Sequence, residues 1–398
     1  MDNKDRDREQ DLLTLTHTGD EYNRYMNAVV PPIFMNSLHA YDSVEEYNSV
    51  DVFADDSFIY GRDGNPTVHL LERKIAELEH GSRAVVFSSG MAAFSAAVMA
   101  TCKADSHVIC MKNTYVPAQR LFSTVLGPKF GMTVTYVDGT DLQEIEDAVQ
   151  ENTDLMILES PATYIFKVVD LKAIAEIAHR RGFKTYIDNS CLTPIFQKPL
   201  DLGIDIVMHT MSKFMGGHSD IIGGVLVSKD EELMRTVMTQ ERELFGGIMG
   251  PMEAWLTIRG LRTLETRVRT LQNTGMAVAE FLEQQEQVKK VYYTGLKSHP
   301  QADIIARQQK GHTSLMSFEL VDENPETAVK LANSLKLFLK GCSWGGHESL
   351  AIMPLLHESE EAIAKVGVGR GLIRIYCGLE GSDNLIADLE QGLKRLRV

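Results

Sequence analysis

The sequence predicts an α/β protein: a mostly parallel, seven-stranded sheet domain followed by a smaller C-terminal α+β domain. Three observations predict it. Seven short apolar runs lie between residues 84 and 228, bounded by Gly, Pro, Asp or Asn. Helix-like segments separate several of them. Beyond Pro251 the pattern changes to a long helical stretch, then to a mixture of short strands and helices. Strands that alternate with helices favour a parallel sheet covered on both faces, and such strands read as continuous apolar runs.

In chain order, residues 1–60 read as an extended N-terminal arm with "VVPPIF" as an apolar anchor. Residues 61–255 form the large domain. Its predicted strands are "AVVFSS" from Ala84, "HVICM" from His107, "TVTYVD" from Thr133, "LMILES" from Leu155, "KTYIDN" from Lys184, "DIVMHT" from Asp205 and "GGVLVS" from Gly223. Between two of them, "DLKAIAEIAHRRG" puts Ile174, Ile177 and Ala178 on one helical face and stops at Gly182. Residues 256–398 hold a linking helix and the C-terminal domain. One long connecting helix is predicted from Met252 to Gln284, uninterrupted by Gly260, then the strand "SLMSFEL", the helix "ETAVKLANSLKLFL", the strand "LIRIYCG" and a closing helix "DNLIADLEQGLKRL".

Composition narrows the function. Fifty-five acidic against 40 basic residues give a formal charge of −15, which works against binding to phosphate backbones. No basic stripe with interleaved aromatics is present, so nucleic-acid binding is not expected. No apolar run approaches the ~20 residues of a membrane helix. The five cysteines are scattered and never form a C-x-x-C pair. With a polar, charged N-terminus, they point to reduced thiols in the cytoplasm and to no metal site.

Ligands of an open parallel sheet bind beyond the carboxyl ends of its strands, so the residues there carry the functional reading. After the first strand, "SSGMAAFSAA" turns at Gly90 and opens an alanine-rich helix at Met91. A helix start offers free N–H groups to an anion, although a plain turn would read the same way. After "TYI" comes Asp188, which fits an N-cap, a metal ligand or a partner for a cationic ring nitrogen. After "DIVMH" come Thr210, Ser212 and Lys213, then the pair Gly216 and Gly217. The two hydroxyls can donate to a phosphate. A buried lysine has a lowered pKa and becomes a usable base and nucleophile, whereas a snorkelling lysine only covers apolar surface. A phosphate cradle, a carboxylate and a lysine at separate strand ends are the parts that pyridoxal 5'-phosphate requires. A dinucleotide site is disfavoured, because "GVGRG" at Gly367 does not follow a strand and open a helix.

These residues, with "YGRDGNPTVHLLERKIAELE", "FSSGMAA", "ESPA", "IDNS", "SKFMGGHSDIIGG", "WLTIRGLRTLETR" and "WGGHESL", resemble the Cys/Met-metabolism enzymes that use pyridoxal phosphate, across nearly the whole chain. That group includes cystathionine γ-synthases, cystathionine lyases and methionine γ-lyase. The resemblance implies the transferase fold of type I and a role for each matched residue. Lys213 is expected to be the Schiff-base lysine and proton shuttle. Asp188 would pair with the pyridine nitrogen, and Gly90, Met91, Thr210 and Ser212 would hold the phosphate. Tyr115 would stack on the ring and assist proton transfer. Tyr60 and Arg62 would reach the phosphate of a neighbouring subunit, which implies a homo-oligomer, usually a tetramer in this group. Arg374 would clamp the substrate carboxylate, helped by the backbone around Ser349, with Tyr60 also near the substrate.

Some positions depart from the common pattern. Val116 and Pro117 follow Tyr115, Thr163 and Tyr164 stand where Asn-Pro is usual, Tyr376 and Cys377 replace Ser-Val, and Trp344 replaces Leu. The tyrosine-x-proline and "SWGGHESL" features are similar to bacterial cystathionine β-lyases. They imply β-elimination on cystathionine or cysteine, giving a thiol, pyruvate and ammonia. The alternatives are γ-elimination or γ-replacement, and a non-catalytic cofactor-binding protein. Arg120, Trp344, Glu348 and the arm near Tyr41 are the candidates for selecting the distal part of the substrate.

Overall fold

The computed structural model describes residues 3–397. All seven apolar runs are strands: β1 Arg83–Phe87, β2 His107–Met111, β3 Thr133–Val137, β4 Thr153–Glu159, β5 Lys184–Asp188, β6 Ile206–Thr210 and β7 Gly224–Ser228. They form one sheet in the order β1-β7-β6-β5-β4-β2-β3. β2 to β6 pair in parallel, and only β7 runs against its neighbours β1 and β6. Because side chains alternate along a strand, each strand supplies both faces of the sheet. Val85, Val108, Ile157, Tyr186 and Met208 join one buried cluster with Phe94 of the helix Gly90–Thr101. Val86, Ile109, Leu158, Ile187 and Val207 join another with the helix Leu171–Arg181. That helix is bounded as its sequence predicts, with the Asp170 side chain accepting from the Ala173 N–H and Gly182 left-handed at φ 82°.

A second, antiparallel sheet in the order β10-β11-β9-β8 follows: β8 Val288–Tyr292, β9 Leu315–Leu320, β10 Leu350–Ile352 and β11 Ile373–Tyr376. Its own core includes Met316, Phe318, Leu331, Ile373, Ile375 and Leu389.

Three expectations are corrected. The long connecting helix is two helices, Pro251–Leu261 and Leu264–Glu283. Gly260 lies against the chain after β6, where a β-carbon would sit 2.4 Å from the carbonyl oxygens of Met215 and Gly216. Its carbonyl accepts from Arg267 Nη2 at 2.7 Å instead of continuing the helix. The helix predicted through Leu339 ends at Ser334. The Asp388 carboxylate captures the N–H groups of Lys336 and Leu337, at 2.9 and 2.7 Å, and so draws the chain out of the helix. The first sixty residues are not extended throughout, because Asn3–His17 is a helix. It is docked by a buried ion pair, Lys198 Nζ to Asp11 at 2.9 Å, and by Lys74 Nζ donating to the Thr14 carbonyl at 3.2 Å.

Candidate active site

The sheet brings its functional residues together at the carboxyl ends of β1, β4, β5 and β6. Two glycines let β1 and its neighbours close up. A β-carbon at Gly224 would lie 2.4 Å from the Ser89 carbonyl, and one at Gly90 would lie 2.4 Å from Thr210 Oγ1. The start of the helix Gly90–Thr101 therefore abuts the end of β6. Ser89 caps that helix by accepting the Ala92 N–H at 3.0 Å. Thr210 is tied to the next strand end, its N–H donating to Ser190 Oγ at 2.7 Å. Ser212 Oγ accepts the Gly223 N–H at 3.1 Å and braces the loop that leads to Lys213.

Lys213 sits three residues past β6 in a bend closed by hydrogen bonds from its own N–H to Thr210 O and from the Gly217 N–H to its carbonyl. The glycine pair serves this bend. At Gly217, with φ +75°, a β-carbon would meet the Arg267 guanidinium at 2.2 Å, and at Gly216 one would meet Ile221 at 2.8 Å. Arg267 is buried and donates to Phe214 O at 2.7 Å, so it holds the loop from behind. The Lys213 amine has no carboxylate within ion-pair distance among the described residues. It donates to Ser343 Oγ and lies 5.2 Å from the centre of the Trp344 ring. Burial lowers its pKa first, and the positive Arg374 lowers it further.

Asp188 ends β5 beside Glu159, which ends β4 as its register partner. The Asp188 carboxylate accepts the Ser190 N–H at 2.9 Å, a local turn rather than a helix cap. Burial raises its pKa, while bonds to Ser190 and the charges of His209 and Lys213 pull it down. Tyr115 donates its backbone N–H to Glu159 Oε2 at 2.7 Å. Its phenol pKa is raised by partial burial and then by the nearby Asp188 charge, so the hydroxyl stays protonated.

Arg374 projects from β11, in register with Ile352 of β10. It forms no ion pair among the described residues, and its one hydrogen bond there is to Ser343 O at 3.3 Å. Burial lowers its pKa, opposed by Tyr164, Cys342, Cys191 and Glu159 around it. An enclosed guanidinium with its fork unpaired is suited to a bidentate carboxylate. The loop 342–345 thus touches both cations. Ser343 is left-handed at φ 89°, and Gly345 at φ +95° packs against the Lys213 backbone, where a β-carbon would lie 2.7 Å away.

The comparisons with known proteins agree with this geometry. Residues 14–394 match the model of the family described as Cys/Met metabolism PLP-dependent enzyme. The chain is 37% identical to L-methionine gamma-lyase of Fusobacterium nucleatum, over 96% of this chain and 98% of that one. It is also 37% identical to a cystathionine beta-lyase of Bacillus subtilis, over 93% of this chain and 92% of that one. A solved cystathionine gamma synthase from Xanthomonas oryzae superposes with a TM-score of 0.91 at 33% identity, covering 97% of this chain and 98% of that one. This chain is a Cys/Met metabolism PLP-dependent enzyme.

The fold is accordingly the type I fold of such enzymes, and the cofactor is pyridoxal 5'-phosphate. The residues present fit that group. Gly90 has no room for a side chain against Thr210, which leaves a capped helix start open to a phosphate. The amine of Lys213 and the carboxylate of Asp188 stand on neighbouring strand ends without a mutual ion pair.

Two residues expected to reach the phosphate of a neighbouring subunit lie outside the cluster of their own chain. Tyr60 and Arg62 are exposed and lie together, with the guanidinium 5.4 Å from the ring centre. They share no hydrogen bond, ion pair or ring contact with the Lys213 group among the described residues. Ser349 meets a different constraint. Its N–H and hydroxyl donate to Glu380 at 2.7 and 2.8 Å, the hydroxyl also accepts the Gly378 N–H, and the carbonyl accepts from Leu339. Its polar groups are used inside the small domain. Sequence reading named neither Glu159, Ser343 nor Arg267 for the site. Glu159 was discoverable as a carboxylate one residue past an apolar run. Ser343 and Arg267 carried no local signal.

Proposed function

We propose that the enzyme cleaves a carbon–sulfur bond by β-elimination on cystathionine or cysteine, releasing a thiol, pyruvate and ammonia. The observation that carries this reading is the environment of Lys213: a partly buried amine with no carboxylate within ion-pair distance among the described residues, beside Trp344 and under the charge of Arg374. The Trp344 wall and the Val116–Pro117 helix start after Tyr115 are the features shared with bacterial β-lyases.

The bound cofactor supplies an electrophilic carbon for the substrate amine and a ring that accepts electrons from the substrate Cα. The chain's own residues do the rest. The helix start at Gly90, with Met91, Thr210 and Ser212, receives the phosphate. Asp188 would hold a positive ring nitrogen, and Tyr115 would cover the ring. Arg374 binds the substrate carboxylate and fixes the Cα–H toward Lys213. The Lys213 amine, kept neutral more easily by burial and by Arg374, takes that proton. As the Cβ–S bond breaks, the electron pair leaves with sulfur, and the Tyr115 hydroxyl or the Lys213 ammonium protonates it. Hydrolysis of the three-carbon remainder gives pyruvate and ammonia.

A second reading, γ-elimination or γ-replacement, is favoured by the likeness to methionine gamma-lyase and to cystathionine gamma synthase. It requires a further deprotonation at Cβ, which the same lysine could perform. Purified protein incubated with cystathionine, cysteine, methionine and an acylhomoserine separates the two. Pyruvate supports β chemistry, 2-oxobutyrate supports γ chemistry, and no keto acid from any of them would point to a cofactor-binding protein without turnover.

The site is also read as shared between subunits of a homo-oligomer, with a tetramer expected. The arm exposes Tyr22, Met26, Val29 and Met35, and Tyr60, Leu244 and Phe245 are exposed as well, apolar side chains that a subunit contact would cover. Light scattering of the purified protein tests this. Five free cysteines fit a cytoplasmic location, and among the described residues no helix is long and apolar enough to cross a membrane.

A further inference from the structure

Tyr115 is half exposed, and it follows β2 at the end of an irregular segment, Lys112–Thr114. An exposed aromatic on a loop has no packing of its own to fix it, so something else must hold its backbone where a ring can stack. Three of the bonds that secure the segment bear on Tyr115. Gln119 Nε2 donates to the Lys112 carbonyl at 2.9 Å, and the Asn113 carbonyl accepts the Thr163 N–H at 3.0 Å. The third is the bond from the Tyr115 N–H to Glu159 Oε2 at 2.7 Å, and it alone acts on Tyr115 from the sheet. Glu159 is itself rigid, because it ends β4 in register with Asp188. In a parallel pair, register partners point to the same face, so the two carboxyls lie side by side on the cleft.

We propose that Glu159 is a positioning residue for the reaction: its carboxyl fixes the Tyr115 backbone at the strand ends so that the ring stands over Asp188. This rests on the function proposed above. The charge environment agrees with it. Burial and then the adjacent Asp188 push the Glu159 pKa up to about 8, so near neutrality the group is a neutral acid. A neutral carboxyl still accepts an N–H through its carbonyl oxygen, and it leaves the negative charge of the pair on Asp188, where a ring cation needs it.

The test compares Glu159→Gln, which keeps a carbonyl acceptor, with Glu159→Ala, which removes it. Tyr115→Ala serves as the reference. Holoenzyme is prepared for each, and two quantities besides turnover are read: the circular dichroism of bound pyridoxal 5'-phosphate and its dissociation constant. Losing a hydrogen bond between a backbone N–H and a carboxyl predicts up to about a tenfold effect. Glu159→Ala should weaken cofactor binding about tenfold and change the dichroism in the same sense as Tyr115→Ala. Glu159→Gln should restore both to within about twofold of the unsubstituted enzyme. Unaltered dichroism and affinity in Glu159→Ala would overturn the proposal, and so would a glutamine variant as impaired as the alanine one. Failure of the underlying reading looks different, because the unsubstituted protein would then bind no pyridoxal 5'-phosphate or release no keto acid.

Discussion

Two lysines of this chain, one buried and one partly buried, are opposites. Lys198 lies beneath the N-terminal helix, nine-tenths buried, with an Asp11 carboxylate oxygen at 2.9 Å and the Leu78 carbonyl also accepting its proton. Its donors are satisfied, and it serves to bolt a helix to the sheet. Lys213 lies at the strand ends with a serine hydroxyl for a partner, an indole ring beside it and an arginine as its nearest influential charge. A partly buried cation with no carboxylate partner among the described residues is unfavourable to folding, and such groups are characteristic of places where a neutral amine is used. The two lysines differ in burial and in partners, and it is the lack of a carboxylate partner among the described residues that makes Lys213 the candidate for a reactive amine.

The sharpest way to break that comparison is to delete each amine. Lys213→Ala should lower turnover by about 10⁴-fold, since one group acts as both nucleophile and base, while the melting temperature of the apoprotein stays the same or rises. Near-normal turnover in a steady-state assay would end the case for Lys213. Lys198→Ala should do the reverse, lowering stability by about 3–5 kcal/mol because Asp11 is left buried and unpaired, with the per-site kcat of the folded fraction unaffected. Urea unfolding measures this, and adding Asp11→Asn should recover part of the loss.

The third test concerns the second unpaired cation. Arg374→Ala should raise KM about 30- to 100-fold with a smaller change in kcat, as expected when a bidentate carboxylate contact is lost. Unchanged affinity would remove the clamp. The smallest effect belongs to Lys74, another buried lysine, whose charge is opposed by burial and only partly supported by Asp20 at 4.0 Å. Its pKa is lowered from 10.5 to about 8. Between those values the unfolded chain binds more protons than the folded one, so stability rises with pH. From pH 8 to 9 the gain is about 1 kcal/mol relative to Lys74→Met, which removes the titration. Parallel pH dependence in the two proteins would refute the assignment.

The sequence was most informative where local rules and tertiary demands coincide. Apart from the edge strand β3, the strands of the large sheet are mostly buried on both faces, so they show as apolar runs whose ends are marked by a polar residue. The placement of Asp188, Thr210 and Lys213 at strand ends was legible for that reason. The helix Leu171–Arg181 carried its own cap and stop. Legibility failed where a distant residue overrides local preference. Asp388 ends a helix some fifty positions earlier in the chain, and the carbonyls of Met215 and Gly216 leave no space for a side chain at residue 260, where the connecting helix soon breaks.

By itself, then, the sequence determined the seven strands, the alternation that makes their sheet parallel, and the residue types waiting at the strand ends. Those follow from burial and backbone preference, which act over a few neighbouring residues. Only the tertiary structure decided that Glu159 stands against Asp188 and holds Tyr115, that Ser343 and Trp344 enclose the Lys213 amine, and that Ser349 is consumed by Glu380. Each of these joins segments between about 30 and 130 residues apart, and the energy of such a contact depends on geometry that no local pattern encodes.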